Sequence, residues 1–287
     1  MSTSRKHHFL PKFYLKGFTN EIGQFNIYDC KNNKVKKKGK YFFPSSHFYE
    51  IDSNTIAGED DQDDFIEKLY EKLDNITAKK LEQINRGSYK NRFNIDEMDM
   101  PYLNNFASHI FWRNPNNVST LKNYIDKYSL SQLGLKIIDK DGNHDYTLSE
   151  KFKNEPQFHK AYKLYNAMID SIRGFNCRTP YHIFERPDNL PSILSDTPLI
   201  FESTDNFKVY KDDYILPLSR NRIFVKRNLQ NKFDHQLHFL IDLISVKQSV
   251  SNFAFTDYTY VEYLSELDLS YGKTLSELKL LLFEKLQ

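Results

Sequence analysis

Residues 7–18 read HHFLPKFYLKGF, an aromatic block that lies within the first twenty residues of the chain. Chain ends usually fray, so a segment this rich in apolar mass indicates a part of the chain that is held onto a core. Pro11 suits the first helical position, where its missing N–H breaks no hydrogen bond, and Gly17 suits a helix end. We therefore predict a short helix whose Tyr14 and Phe18 face one side and tie this segment to the core.

The patterns outward from this block define four segments of an α+β protein. An N-terminal helix and a β-hairpin with a lysine-rich return strand fill residues 1–50, and a helical body follows over 59–174. Short β-branched and aromatic runs at 181–227 are typical of antiparallel strands, and helical patterns close the chain over 228–287. We predict a mostly helical fold with a small antiparallel sheet, formed by the hairpin and the strands around 181–227. Because no linker or repeat interrupts the chain, we expect a single domain over 1–287.

Composition excludes several protein classes. The 39% hydrophobic and 15% aromatic content is typical of a globular chain rather than a disordered one. No run approaches the roughly 18 apolar residues of a membrane helix, and the polar SRKHH stretch has no secretory apolar region after it, so we expect a cytoplasmic protein. Cys30 and Cys177 lack the number and spacing of a disulfide framework or a zinc site, so we expect reduced thiols. The chain has no glycine-rich phosphate loop, which argues against a nucleotide-binding α/β enzyme.

Charge is unevenly distributed, although the net charge is only +2. Residues 1–50 hold ten Lys and Arg against three Asp and Glu, whereas residues 51–100 hold seven against thirteen. A lysine-rich strand is most simply an edge that protects a sheet from further pairing. It also fits a nucleic-acid backbone, with Tyr41 and Phe42 as rings on which bases stack. The candidate nucleic-acid-binding residues are Lys34, Lys36, Lys37, Lys38, Lys40 and Tyr41.

Short motifs follow one another along the chain: HHFLPKFYLKGF at 7–18, FY at 48–49, WRNP at 112–115, and the pair SDTP at 195–198 with LPLS at 216–219. As an ordered set they resemble the bacterial family catalogued as domain of unknown function 4238, over most of the chain. The resemblance implies a shared fold and a set of candidate positions, and it brings no established activity.

The resemblance also marks individual positions. The family's opening pattern H-x-x-P-x-x-Y-L is matched by His8, Pro11, Tyr14 and Leu15, and its later Arg-x-Pro by Arg113 and Pro115. The family's acidic helix carries two Glu that lie two helical turns apart. Glu67 matches the first of these, whereas the shorter Asp74 stands at the second.

His8 precedes the predicted N-terminal helix, at the end where the helix dipole disfavours an imidazolium. A neutral imidazole there could act as a general base or ligate a metal ion. The structural alternative is a hydrogen bond to a carbonyl that locks the helix onto the core. We expect its neighbour His7 to point elsewhere and to be exposed.

Arg113 and His109 lie four residues apart on one predicted helix, and therefore on one face of it. Together they could bind a phosphate, since a guanidinium offers a bidentate fork. Arg113 could equally satisfy the last carbonyls of its helix. On the acidic helix, Glu67 and Asp74 lie at the boundary of the apolar stripe and are the acids that we expect to turn inward.

Asp196 follows a predicted strand and precedes a Thr-Pro pair. It could project from the strand end into a cleft, as acids in active sites often do. The competing interpretation is an Asx-turn, in which the carboxylate binds backbone N–H groups.

These positions favour a nucleic-acid phosphodiester hydrolase, with RNA as the preferred substrate and a role as a toxin or phage-defence effector. In this hypothesis His8 is the base or acid, Arg113 stabilises the charged phosphorane and Asp196 orients the histidine, with His109 and Glu67 completing the catalytic set. It needs no cofactor, although a divalent ion held by His8 with Asp196 or Glu67 would define a metal-dependent nuclease. The alternative is a non-catalytic module that binds nucleic acid or protein, in which the motifs are structural and the lysine strand is the contact surface.

Overall fold

The computed structural model describes residues 5–57, 62–87, 93–94, 100–132, 135–174, 179–188, 190–202, 208–229 and 233–287. Cys177 lies outside these ranges, whereas Cys30 is a half-buried free thiol. The helices are α1 (Lys12–Lys16), α2 (Phe65–Arg86), α3 (Met100–Arg113), α4 (Val118–Lys127), α5 (Tyr146–Asn154), α6 (Pro156–Gly174), α7 (His235–Gln248), α8 (Tyr258–Tyr271) and α9 (Leu275–Lys285). None of these described helices is both long and apolar enough to cross a bilayer.

Short strands separate the helices in both halves of the chain. They are β1 (Lys6–His8), β2 (Asn26–Asp29), β3 (Lys34–Val35), β4 (Tyr49–Ile51), β5 (Ile56–Ala57), β6 (Gln62–Asp63), β7 (Phe93–Asn94), β8 (Tyr181–Glu185), β9 (Ile193–Ser195), β10 (Ile200–Phe201), β11 (Tyr214–Ser219), β12 (Arg222–Lys226) and β13 (Asn252–Phe255). The predicted α+β class, mostly helical with antiparallel strands, is confirmed. The predicted N-terminal helix is also confirmed, with Pro11 before its first residue and Gly17 after its last.

Two antiparallel sheets lie at the centre of the fold. One has five strands in the order β10-β11-β12-β8-β7, and the other has four in the order β3-β2-β13-β9. The short ribbons β1–β4 and β5–β6 complete the described strand pairs. The buried side chains of both sheets pack into two core clusters that also include helices.

Strands β10, β11 and β12 of the five-stranded sheet are buried on both faces, which explains their apolar sequences. Along β11, Tyr214 and Leu216 pack into the core cluster that includes α1 and α3, and Ile215 packs into the cluster that includes α7 and α9. Successive side chains of a strand point to opposite faces, so β11 supplies both cores in turn. A strand covered on both sides reads as a continuous apolar run, as YILPLS does.

A buried ion pair joins the end of β8 to the C-terminal helices. Arg186 donates to both carboxylate oxygens of Asp242 on α7, at 3.0 and 2.6 Å, and Tyr260 on α8 donates to the same carboxylate at 2.7 Å. Both charged side chains are almost fully buried. Removing one partner of such a pair leaves a buried charge without compensation, so this contact fixes how α7 and α8 meet the sheet.

The predicted single small sheet is wrong in its membership. The hairpin strands β2 and β3 belong to the four-stranded sheet, whereas most described strands between 181 and 227 form the five-stranded one. Of the strands described in that region, only β9 joins the hairpin's sheet, and it does so through β13, which pairs with β2 on one side and with β9 on the other. β13 lies inside the region that the sequence patterns assigned to helices, 228–287. A four-residue strand between two long helical patterns gives too weak a periodic signal to be separated from them.

The predicted lysine-rich return strand is also wrong. Only Lys34 and Val35 pair with β2, and the antiparallel pairing resumes at Phe42 opposite Phe25. Between these pairs the return side has four more residues than β2 offers, so residues 36–41 leave the sheet as a loop, which we call the lysine loop. Lys37 and Lys38 adopt left-handed backbone angles there, with φ of 46° and 54°.

Candidate functional site

The opening motif packs directly onto LPLS, the last motif. The Tyr14 hydroxyl donates to the Pro217 carbonyl at 2.7 Å, and the backbone N–H of Arg220 donates to the Gly17 carbonyl at 2.9 Å. A Cβ added at Gly17 would lie 3.1 Å from the Cβ of Ser219, so this close approach favours glycine. These contacts give Tyr14 and Gly17 a structural role.

The FY motif holds the segment just before α1. The Phe48 carbonyl accepts a hydrogen bond from the backbone N–H of Phe9 at 3.0 Å, and Tyr49 pairs with His8 across the β1–β4 ribbon. The rings of His8 and Tyr49 lie 5.4 Å apart. Phe48 has a φ of 60°, a conformation that is rare outside glycine and that turns the chain toward the ribbon.

The WRNP and SDTP motifs meet at Asp196. Its carboxylate accepts hydrogen bonds from three consecutive backbone N–H groups, those of Val250, Ser251 and Asn252, at 3.0, 2.7 and 3.0 Å. Its carbonyl accepts from the Asn114 side chain at 2.6 Å. Asp196 is 1% exposed, so it does not project into an open cleft. The carboxylate binds backbone N–H groups, as in the competing interpretation, but these belong to the segment after α7 rather than to an Asx-turn at Pro198.

Arg113 pairs with the acidic helix rather than with Asp196. Its Nη1 donates to both carboxylate oxygens of Asp74, at 2.8 and 3.0 Å, and its guanidinium lies 4.2 Å from the ring centre of Tyr70. The Arg113 side chain is 3% exposed and that of Asp74 25%. Burial acts to lower the pKa of Arg113, but the charge and hydrogen bonds of Asp74, with Tyr70 and Glu67, together raise it, so the guanidinium stays protonated. Burial raises the pKa of the Asp74 carboxyl despite that pairing.

His109 lies one turn before Arg113 on α3, and its ring meets the Tyr70 ring edge-on at 5.7 Å. Within the described residues neither ring nitrogen of His109 has a hydrogen-bond partner, and the same holds for Nε2 of His8. Burial, and then the charge of Arg113, lowers the pKa of His109 to about 3. Burial, and then the charge of Lys12, lowers the pKa of His8 to about 4. Both imidazoles are therefore neutral at pH 7.

Glu67 approaches the same region from the start of α2. Its Oε2 accepts a hydrogen bond from the Asn54 side chain at 2.7 Å, and the Asn54 backbone N–H donates to Nδ1 of His7 at 2.9 Å. His7 is 1% exposed, so the expectation of an exposed His7 is wrong. Both neighbouring histidines of β1 are buried. His7 accepts the hydrogen bond of the Asn54 backbone, and the ring of His8 lies beside the ring of Tyr49.

The predicted catalytic residues thus divide into two groups. His8, Glu67, His109 and Arg113 lie around Tyr70 and Asp74, where the charge of Arg113 acts on both histidines. Asp196 has no hydrogen bond or ion pair with His8 or Arg113 among the described residues, and its oxygens are taken up by the backbone. In the same part of the chain, no three His, Cys, Asp or Glu side chains are arranged to hold a metal ion.

The predicted nucleic-acid-binding residues lie on the surface, and they border a groove. Lys34, Lys37, Lys38, Lys40 and Tyr41 are exposed and Lys36 is half-buried. The groove has a volume of about 600 Å³ and is lined by Lys34, Lys38 and Tyr41 together with Tyr28, Asn33 and Tyr258. The sequence patterns did not mark the last three. Tyr258 follows β13 and reaches the hairpin only through the pairing of β13 with β2, which no local pattern reports.

The sequence profile of one protein family, described as "protein of unknown function (DUF4238)", matches residues 6–241. The chain belongs to the DUF4238 family. The predicted resemblance is therefore confirmed over most of the chain. No match was found among curated proteins or among solved structures. Membership of DUF4238 identifies the fold relationship, and the description of the family assigns no activity.

The position of Asp196 predicts a large loss of stability in Asp196→Ala. Three amides would be left without their acceptor, and each buried polar group without a partner costs about 1–3 kcal/mol. We expect the free energy of unfolding to fall by at least about 3 kcal/mol, measured by urea denaturation with the fluorescence of Trp112 as the probe. Asp126→Ala, on the exposed face of α4, is the control and should change it by about 0.5 kcal/mol or less. Equal stability of the two variants would contradict the structural role.

The buried histidines predict a loss of stability in acid. Because the folded-state pKa of His109 lies below the ordinary value of 6.5, the unfolded chain binds more protons between these values. Its stabilising contribution is therefore complete above pH 6.5 and is lost as the pH falls toward 3. Between about pH 7.5 and 5, His109 should account for about 2 kcal/mol of the loss. Urea denaturation at both pH values should show a smaller loss for His109→Leu, and parallel losses would mean that His109 is not held neutral.

Proposed function

We propose that the protein binds nucleic acid, with RNA favoured, through the lysine loop. The observation that carries this proposal is an exposed, uniformly positive segment that runs from the hairpin turn through β3 into the lysine loop. Residues 31–40 read KNNKVKKKGK, with six lysines and no acidic residue, and nearly all of them are exposed. Such a surface attracts a polyanion because each phosphate contact releases condensed counterions.

The lysine loop has a defined backbone conformation and is not an edge strand of the sheet. Lys37 and Lys38 have left-handed backbone angles that cost a non-glycine residue about 1–3 kcal/mol each. The Asn26 side chain donates to the Gly39 carbonyl at 2.8 Å and fixes the end of the turn. An edge-protecting strand needs lysines but no such turn, so the geometry favours a contact surface over the structural alternative.

Exposed rings beside the lysines favour nucleic acid over an acidic protein as the partner. Tyr41 is 42% exposed at the end of the loop, and Phe43, just after it, is 55% exposed. Aromatic rings next to cations are the combination that single-stranded nucleic acids use, with bases stacked on the rings and phosphates on the lysines. An acidic peptide would use the lysines alone.

This proposal predicts that neutralising Lys38 of the lysine loop together with Lys34 on the adjoining strand β3 weakens binding to RNA. The double variant Lys34→Gln with Lys38→Gln should bind a labelled single-stranded RNA at least about tenfold more weakly than the wild type. The slope of its affinity against salt concentration should flatten by about 0.7 for each phosphate that is no longer neutralised. Fluorescence anisotropy at several salt concentrations measures both quantities.

The matched control is Lys79→Gln with Lys122→Gln, which removes two exposed lysines from α2 and α4. It should bind nearly as well as the wild type. Equal weakening in both double variants would show general electrostatic attraction and contradict the loop as the binding surface. The absence of binding by the wild type would remove the proposal.

Hydrolysis of a phosphodiester is the second candidate function. Among the residues that the structure describes, ring nitrogens of His8 and His109 have no hydrogen-bond partner, and this observation beside a protonated Arg113 favours it. A neutral His8 can accept a proton at Nε2, and Arg113 can stabilise a charged phosphorane if Asp74 gives way. Two features weigh against it. A pKa of about 4 makes His8 a weak base at pH 7, and the cluster is nearly closed to water. A role as a toxin or phage-defence effector stays a prediction of this candidate.

If the histidines catalyse hydrolysis, His8→Ala should slow the cleavage of labelled RNA by about 10²–10⁴. His235→Ala removes an exposed histidine and should cleave like the wild type. RNA and DNA are compared with and without a chelator, since loss of cleavage with the chelator would transfer the chemistry to a metal ion. Equal cleavage by wild type and His8→Ala, or none by either, would eliminate the histidine mechanism.

A further inference from the structure

The groove beside the lysine loop is assembled from two distant parts of the chain. One wall is the hairpin, with Tyr28 on β2 and Asn33 in its turn, and the other is the segment from Phe255 to Tyr258. The antiparallel register places Phe255 opposite Asn26, so the residues after β13 emerge beside the lysine loop. The pairing of β13 with β2 therefore brings the two walls of the groove together.

Three tyrosines line this groove in different environments. Tyr28 stacks on Phe253 at 4.8 Å with nearly parallel rings, and its hydroxyl donates to the Asn33 side chain at 2.9 Å. Tyr258 is 51% exposed and Tyr41 is 42% exposed. A fixed ring with two exposed rings offers stacking surface that needs little ordering, because the ring of a tyrosine is positioned by only about two rotatable bonds.

The same groove carries positive charge and no acid. Lys34 and Lys38 line it from the hairpin side, and none of its lining residues is Asp or Glu. Lys38 is in the left-handed turn, which the bond between the Asn26 side chain and the Gly39 carbonyl anchors at the groove. Two cations, three rings and the Asn33 amide thus border one open space.

We propose that this groove binds an unpaired nucleotide of a single-stranded nucleic acid, with its base stacked on the tyrosines and its phosphates on Lys34 and Lys38. The inference rests on the proposed function and specifies the form of nucleic acid that the surface selects. Base–ring stacking tolerates any sequence, since every base has a π-face, so the site discriminates strandedness rather than sequence.

The size of the groove supports a nucleotide and argues against a duplex. Its volume of about 600 Å³ lies within the range of small-molecule sites, about 300–1,000 Å³. A base can enter such a groove only when it is free of its partner strand. A duplex keeps its bases stacked inside and would present only phosphates to the lysines.

The test compares three labelled probes of one length: a single-stranded RNA, the same RNA as a duplex, and an oligonucleotide of intact backbone that lacks its bases. Each is titrated by anisotropy into wild type, Tyr258→Ala and the double variant Lys34→Gln with Lys38→Gln. Tyr263→Ala is the matched control, because Tyr263 is 44% exposed on the same helix and does not line the groove.

We expect the wild type to prefer the intact single strand, and Tyr258→Ala to bind it about tenfold more weakly with little change for the base-free probe. The lysine variant should weaken the binding of all probes. If Tyr258→Ala binds like Tyr263→Ala, or if the base-free probe and the duplex bind as tightly as the intact strand, the stacking site is overturned while nucleic-acid binding stands. If no probe binds the wild type, both the inference and the proposed function are overturned.

Discussion

The four-stranded sheet depends on the carboxylate of Asp196. Three consecutive backbone N–H groups at 250–252 follow the end of α7, and a partly buried amide that has no acceptor lowers stability. Asp196 accepts from all three and so fixes the start of β13. β13 then pairs with β2 and β9, which positions Tyr258 beside the hairpin. The groove on the surface is thus a consequence of one buried carboxylate at the end of β9.

The short motifs of the sequence contact one another in pairs in the folded protein. The opening motif packs onto LPLS through Tyr14 and Gly17, and WRNP joins SDTP through Asn114 and Asp196. Motifs that lie far apart in the chain therefore form two junctions in the fold. Within WRNP, Arg113 instead forms its ion pair with Asp74 on α2.

Sequence patterns predicted the features that depend on interactions between residues close together in the chain. The N-terminal helix followed from Pro11 and Gly17, and the inward position of Asp74 followed from the boundary of the apolar stripe. The patterns did not predict features that depend on contacts between residues far apart in the chain. The burial of His7 requires Asn54, and the groove requires β13, which is too short for a periodic signal. The organisation as a single domain stays a prediction, because it concerns the whole chain.

The largely buried cluster around Arg113 is distinct from the open, positive surface around the lysine loop, and we propose ligand contact at the open surface. The central claim is that bases of a bound strand touch the groove tyrosines. Photocross-linking with a single-stranded RNA that carries 5-iodouridine, followed by mass spectrometry of the linked peptides, measures this contact directly. We predict cross-links at Tyr258, Tyr41 or Tyr28. Efficient cross-links confined to other regions would contradict the claim.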